Sequence, residues 1–377
     1  MSTIYIHWPF CLSKCHYCDF SSIPLNGSID FDLWVALYNK IILRILNDFY
    51  KDESITSIYF GGGTPSLLPP SFVAEILNLI DDACDVEKEA EITLEVNPLT
   101  INLRDAKRFK AAGINRLSIG VQSIIDADLK MLGRIHGAYE AKNCVLEMSE
   151  VFNNISIDLI YNRPGQRLEA WIDELHEALL LPIQHVSLYE LIVEDGTAMK
   201  RMIESGELPR PSEGSEFIET TWMIAENCHF HRYEVSNFSK PGFVGRHNLS
   251  YWKYEDYYGI GPGAHSRIKL NGRKVAIEQA KDIGDWISFA SNDEPFELIE
   301  LTESEEFDER LIMGLRAEIG IDIDIVKIDR NKMQFLLKNS YIMLRDSRMS
   351  LTNDGLLKLN LIVEYLSGKR DENIIKQ

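Results

Sequence analysis

From Ile4 to Asp195, short apolar runs alternate with longer amphipathic segments, the pattern of repeated βα units that build a parallel sheet. The apolar runs predict six strands, at residues 4–7, 55–60, 91–96, 116–119, 155–160 and 186–191. Between them, apolar positions recur at helical spacing around residues 31–49, 71–83, 103–112, 139–151 and 168–181. Six units fall short of a closed eight-stranded barrel, so the pattern predicts an α/β fold with a partial, TIM-like (β/α)6 barrel open on one side. A wide lateral mouth would admit a large substrate.

Beyond Leu191 the alternation weakens, and residues 197–216 are rich in charge, Gly and Pro, as a linking or lid segment would be. A boundary near Phe238 divides a barrel core, 1–238, from a smaller, mainly helical domain, 239–377. Within the latter, an acidic amphipathic helix over 303–316, a second near 331–339 and a last one ending near Leu366 follow the order of a small winged-helix-type module. No basic stripe marks it as a DNA reader, which leaves a lid or partner surface. Residues 367–377 read as a frayed polar tail.

Composition narrows the setting. At 377 residues with 45% hydrophobic and 26% charged positions, the chain is of ordinary globular type. A formal net charge of −19 argues against a nucleic-acid partner and against simple adhesion to anionic lipid. The N-terminus lacks the basic and apolar regions of a signal peptide, and no apolar run reaches membrane-spanning length. A cytoplasmic protein with reduced thiols is the expectation. Cys84, Cys144 and Cys228 stand alone and read as small apolar core residues.

Three of the six cysteines, however, fall within eight residues, in Phe10-Cys11-Leu12-Ser13-Lys14-Cys15-His16-Tyr17-Cys18. This C-x3-C-x2-C spacing lets three thiolates converge on one soft metal centre and leaves a ligand position open. A zinc knot completed by His7, His16 or Asp19 is the plainer alternative.

Barrels of this class gather their chemistry at the C-terminal ends of the strands. There the chain places Gly61-Gly62-Gly63-Thr64-Pro65, Glu95, Gln122 and Asp158, with Arg134 a little further on. Glycines admit close backbone approach, and an interior acid calls for a partner. A guanidinium suits a carboxylate. A salt bridge for Glu95 and an exposed helix-end charge for Arg134 are the structural alternatives. In the second half, His247-Asn248-Leu249-Ser250-Tyr251-Trp252 and the Gly-rich aromatic stretch 257–266 suit either a flat conjugated ligand or an aromatic plug, and composition alone favours the plug.

The C-x3-C-x2-C loop after Tyr5-Ile6-His7-Trp8-Pro9-Phe10 resembles the radical S-adenosylmethionine (SAM) superfamily, in its coproporphyrinogen-oxidase-like branch. The resemblance implies a [4Fe-4S] cluster on Cys11, Cys15 and Cys18, with SAM at the open iron. It implies SAM contacts from Tyr5, Gly62, Gly63, Thr64, Glu95, Gln122, Arg134 and Asp158. One departure is that Asn162-Arg163 replaces the usual glycine-leucine pair before Pro164-Gly165-Gln166.

Two functions compete within the resemblance. A coproporphyrinogen III oxidase carries C-x3-C-x2-C-x-C, whereas Phe20 stands here at the fourth cysteine. His247 to Trp252 matches the H-N-x-x-Y-W signature of the HemW-type haem chaperone family, which implies haem near His247, Tyr251 and Trp252. Both features favour a chaperone that passes haem to an acceptor haemoprotein, for which a membrane-bound respiratory enzyme is one class. That reading is compatible with a homodimer, and with docking at the inner face of the membrane through a partner.

Overall fold

The first apolar run forms strand β1 (Ser2–Trp8), around which the rest of the sheet is laid out. The computed structural model describes the chain except residues 52, 213, 372–374 and 376–377. Parallel pairing runs from β1 through β2 (Ile55–Gly62), β3 (Val86–Val96), β4 (Arg116–Gln122) and β5 (Ile155–Tyr161) to β6 (His185–Glu190). The six strands lie within a few residues of their expected bounds. Beyond β6 the sheet turns antiparallel with β7 (His231–Arg232) and β8 (Asn237–Ser239).

On the other side of β1 lies a seventh parallel strand, β9 (Asp256–Ile260), that the sequence pattern did not announce. Its Tyr-Tyr-Gly-Ile run reads as a loop because glycines interrupt it. Gly259 is required: a Cβ there would collide with the His265 carbonyl of the next strand. β10 (His265–Leu270), β11 (Arg273–Glu278) and β12 (Leu298–Glu300) extend that edge. One twelve-stranded sheet results, in the order β12-β11-β10-β9-β1-β2-β3-β4-β5-β6-β8-β7. Residues on both sides of position 238 contribute to it.

The main core lies between this sheet and the helices on its outer face. Helix Phe31–Phe49 begins at Asp30, whose carboxylate accepts from the Leu33 amide at 3.0 Å. It buries Trp34, Leu37, Tyr38, Ile41, Ile42, Ile45 and Phe49, a stripe at three- and four-residue spacing. Its partners are alternate strand residues such as Ile4, Ile6, Trp8, Ile58 and Phe60. Each such burial contributes about 1.5–3 kcal/mol relative to exposure. The opposite face of every strand is thereby left to line the barrel interior.

A second, smaller core gathers Leu311, Leu315, Leu336, Met349 and Ile362. It is built mostly from helices, among them Glu303–Gly314, Arg330–Lys338 and Leu359–Leu366, with a small sheet of Ile321–Asp322, Arg348–Leu351 and Ile342–Arg345. The tail expected to fray is partly tied in: Ile375 is buried there, and its carbonyl accepts from Lys358 Nζ at 2.6 Å. The rest of that tail, 372–374 and 376–377, lies outside the described residues. Among the described residues no helix is long and apolar enough to cross a membrane.

Candidate functional site

Strand residues alternate between the two faces of a sheet, and here the inward set is polar. Tyr5 of β1, Tyr59 of β2, Glu95 of β3, Arg116, Ser118, Gly120 and Gln122 of β4, Asp158 of β5 and Ser187 and Tyr189 of β6 all line one cavity of about 560 Å³. Cys11, Cys15, Cys18, Gly62, Gly63, Thr64 and Arg134 line it too. Every residue expected to hold a cluster or SAM therefore faces the same space.

The cysteine loop is tied down on both flanks. Phe10–Cys11 pairs with Ile23–Pro24, and the Leu25 amide donates to the Cys11 carbonyl at 2.8 Å. At its centre the His16 amide donates to Leu132 O at 3.0 Å, His16 Nδ1 donates to Met131 O at 2.8 Å, and the Met199 amide donates to His16 O at 2.7 Å. The segment 197–216 thus reaches the cysteine loop. Gly62 and Gly63 serve this docking: the Gly63 amide donates to Trp8 O at 2.6 Å and the Thr64 amide to Phe10 O at 2.8 Å. A Cβ on Gly63 would stand 2.5 Å from the Phe10 carbonyl oxygen. Their bare backbones let the second strand's loop lie against the cysteine loop.

The Cys11 thiol is pushed up by burial and then by the neighbouring Cys18 and Cys15, and the Cys18 thiol mainly by burial. Metal ligation requires thiolates, so a metal would have to drive their deprotonation. Both ring nitrogens of His7 have partners within the protein. Its Nε2 donates to Ser21 O at 2.8 Å, which leaves Nδ1 to accept from Tyr5 OH at 3.0 Å. Among the described residues no three His, Cys, Asp or Glu side chains converge as a single bound ion requires. A four-iron cluster instead spreads its thiolates over separate irons.

Two acids sit in this interior without a full countercharge. Glu95 accepts from Tyr59 OH at 2.9 Å and from the Gly62 amide at 3.1 Å. Burial, and next the charge of Asp158, still hold its carboxyl up at about 7. Asp158 is likewise raised by burial, despite a 3.3 Å bond from Ser118 Oγ. Across the cavity, Arg134 donates to Cys15 Sγ at 3.2 Å and to Gly120 O at 2.8 Å, and its buried Nε has no partner. Two under-compensated carboxyls facing an under-used guanidinium fit a ligand bearing both cationic groups and a carboxylate, as SAM does.

Sequence reasoning missed Arg116 and Tyr59. Arg116 is buried at the start of β4, 3.9 Å from the Glu91 carboxylate, and donates to Thr93 Oγ1 at 3.4 Å. Its signal was periodicity: an arginine opening an alternating strand in phase with Ser118 and Gln122. The departure at Asn162-Arg163 turns out to be structural. Asn162 donates to Glu190 at 2.8 Å and accepts from Ser212 Oγ at 2.7 Å. Arg163 is buried against Asp128, at 2.9 Å, and Glu174.

The stretch expected near haem forms the short helix Arg246–Trp252. The Glu91 carboxylate accepts from the amides of Arg246 and His247 at 3.1 and 3.0 Å. His247 is buried, stacked on Tyr59 with ring centroids 4.9 Å apart. Its Nδ1 is 2.9 Å from Ser57 Oγ and its Nε2 is 3.1 Å from Tyr251 OH. Burial, then Arg116, lower its pKa to about 3, so the ring is neutral. His247 and Tyr251 reach the wall of the main cavity, whereas Trp252 lines a smaller neighbouring pocket. An iron at Nε2 would have to displace Tyr251.

The radical SAM superfamily matches residues 5–178. The chain is 32% identical over 383 residues to the heme chaperone HemW of Haemophilus influenzae, covering 96% of this chain and 97% of that one. It is 36% identical over 329 residues to the radical S-adenosyl methionine domain-containing protein 1, mitochondrial, of Danio rerio, covering 85% and 74%. Among solved structures, the coproporphyrinogen III oxidase HemN of Escherichia coli superposes with a TM-score of 0.81 at 20% identity, over 98% of this chain and 90% of that one. That likeness bears on the fold.

Proposed function

From the premise that this chain belongs to the HemW-type family of the radical SAM superfamily, we propose that it binds haem and passes it to an acceptor haemoprotein. Membership implies a [4Fe-4S] cluster and SAM. The observation that carries the haem reading is the lining of the cavity. Phe20, 59% exposed, Ile192, 67% exposed, and Tyr189 are the exposed large apolar side chains among the residues that line it, a surface suited to a flat hydrophobic ligand. Phe20 also occupies the position of the oxidase's fourth cysteine.

A [4Fe-4S] cluster on Cys11, Cys15 and Cys18 would offer one open iron to SAM and supply an electron to it. Around that group the chain's own residues bind and orient. Arg134 pairs with a carboxylate, while Glu95 and Asp158 receive cationic or hydroxyl groups. The acceptor is a haemoprotein, for which a membrane-bound respiratory enzyme is one class.

Anaerobic reconstitution followed by haem titration tests the reading, with a stoichiometric Soret shift expected and transfer to an apo-haemoprotein following. An assay with coproporphyrinogen III, SAM and reductant is the decisive control. Decarboxylated product would overturn the chaperone function in favour of the oxidase.

A further inference from the structure

Beside the main cavity lies a second pocket of about 300 Å³, which shares Tyr189, Asn248 and Tyr251 with it. Its other walls come from three separate parts of the chain: Glu234 and Asn237 after β7, Trp252 at the end of the short helix, and Arg316 after helix Glu303–Gly314. The Glu234–Ala317 bridge holds the first and last of these together.

This wall holds two buried polar atoms that lack partners beside a carboxyl that has them. Asn237 is 3% exposed and its Oδ1 is unpartnered, as is the buried Trp252 Nε1–H. Glu234 is 2% exposed and accepts from the Ser236 amide at 3.2 Å. Burial holds its carboxyl up at about 7 even with the Arg316 charge nearby, so near neutrality it can act as a hydrogen-bond donor. A buried unpaired donor such as the indole N–H is costly unless a ligand accepts from it, which a carboxylate can do.

We infer that this pocket receives a carboxylate of the haem, one propionate, by way of the Arg316 guanidinium and the Trp252 indole N–H. The inference rests on the haem reading above. With the macrocycle on the apolar surface that includes Tyr189, a side chain on its edge passes Tyr189 and Asn248 into the pocket. Arg316 supplies the countercharge and the indole a directed donor. Glu234, when protonated, adds no opposing charge. The pocket would thus fix which edge of the ring points inward.

The test compares haem with haem dimethyl ester, whose propionates are capped, using reconstituted full-length protein in mild detergent and the Soret band as readout. The wild type should prefer the free acid. Arg316→Gln should weaken haem binding about ten- to a hundredfold, the range for a charge-assisted hydrogen bond, and leave the diester unchanged. Trp252→Phe should lower the same preference by a smaller factor, and Arg316→Lys should restore part of it. Equal weakening of both ligands by Arg316→Gln would mean a merely structural role, and unchanged haem affinity would exclude contact; either result overturns the inference while leaving haem binding intact. If the wild type binds neither ligand, the haem reading falls and this inference with it.

Discussion

Arg163 is the residue whose replacement should report most clearly on the architecture under the site. Its guanidinium is fully buried, 2.9 Å from Asp128 Oδ2, in a two-pronged pair with Glu174, and 3.1 Å from the Ile160 carbonyl. Glu174 is itself buried and also accepts from Ser123 Oγ and the Ile124 amide. Arg163→Met leaves Glu174 as an uncompensated interior charge, a loss of about 3–5 kcal/mol. At about 2–4 °C per kcal/mol, a figure for somewhat shorter domains, the fall in Tm is roughly 6–20 °C. In Arg163→Met/Glu174→Gln the amide still accepts from Ser123 and Ile124 without a charge to neutralise, so the double variant should melt above Arg163→Met alone. Differential scanning fluorimetry of the four proteins gives the cycle. The reasoning fails if Arg163→Met melts within about 2 °C of wild type, or if the single losses simply add. Because residues 126–134 carry both Arg134 and the carbonyls that hold His16, Arg163→Met should also retain less cluster after reconstitution.

Glu95 binds its proton more tightly folded, near 7, than unfolded, near 4.3, so it destabilises the ligand-free protein increasingly as pH rises between those values. Glu95→Gln should therefore raise Tm at pH 8 but not at pH 4 while weakening SAM binding by calorimetry; an equal shift at both pH values would refute the titration. Gly63→Ala, which drives a Cβ against the Phe10 carbonyl, should lower cluster occupancy with all three cysteines intact, as read by iron and sulfide content. Alanine at Cys11, Cys15 and Cys18 together should abolish the iron–sulfur absorbance, and persistence of iron and sulfide would remove those residues as ligands. His247→Ala should cost about 2–3 kcal/mol in stability by leaving Ser57 and Tyr251 unpartnered. A changed Soret spectrum without a stability loss would instead make His247 an iron ligand.

Much of this was legible because the strands carry two codes at once. In Arg116-Leu117-Ser118-Ile119-Gly120-Val121-Gln122, the apolar residues pack under the helices and the others face the cavity. The same phase holds for Tyr5, Tyr59, Glu95, Asp158 and Ser187. Reading only the strand ends reached Glu95, Gln122 and Asp158, whereas Arg116, Tyr59 and Ser187 required following that inward phase back along each strand. What local pattern could not supply was long-range placement. Strand β9 is masked by the glycine that its neighbour's carbonyl demands. The helix Arg246–Trp252 has too few residues to show a period, and its N-terminus depends on Glu91, about 155 residues earlier in the chain. The buried pairing of Arg163 is equally invisible, since neither Asp128 nor Glu174 is near it in sequence at a telling interval.

That helix also unites the plug and the ligand readings of the aromatic stretch. A closed barrel fills its interior with side chains from its own strands, but a sheet left open on one side cannot do so. Here the helix inserts His247 against Ser57 and Tyr59, and Ser250 lies 3.4 Å from Thr3, so the lower interior is packed by a segment from the second half of the chain. The plug faces the cavity with Tyr251, whose hydroxyl meets His247 on one side and whose ring lines both pockets. A ligand that moved Tyr251 would therefore disturb the packing of β1 and β2, the strands from which the cysteine loop and Gly62–Gly63 emerge. Tyr251 thus borders both pockets and, by its hydroxyl and its ring, touches the His247 that stacks on Tyr59 of β2.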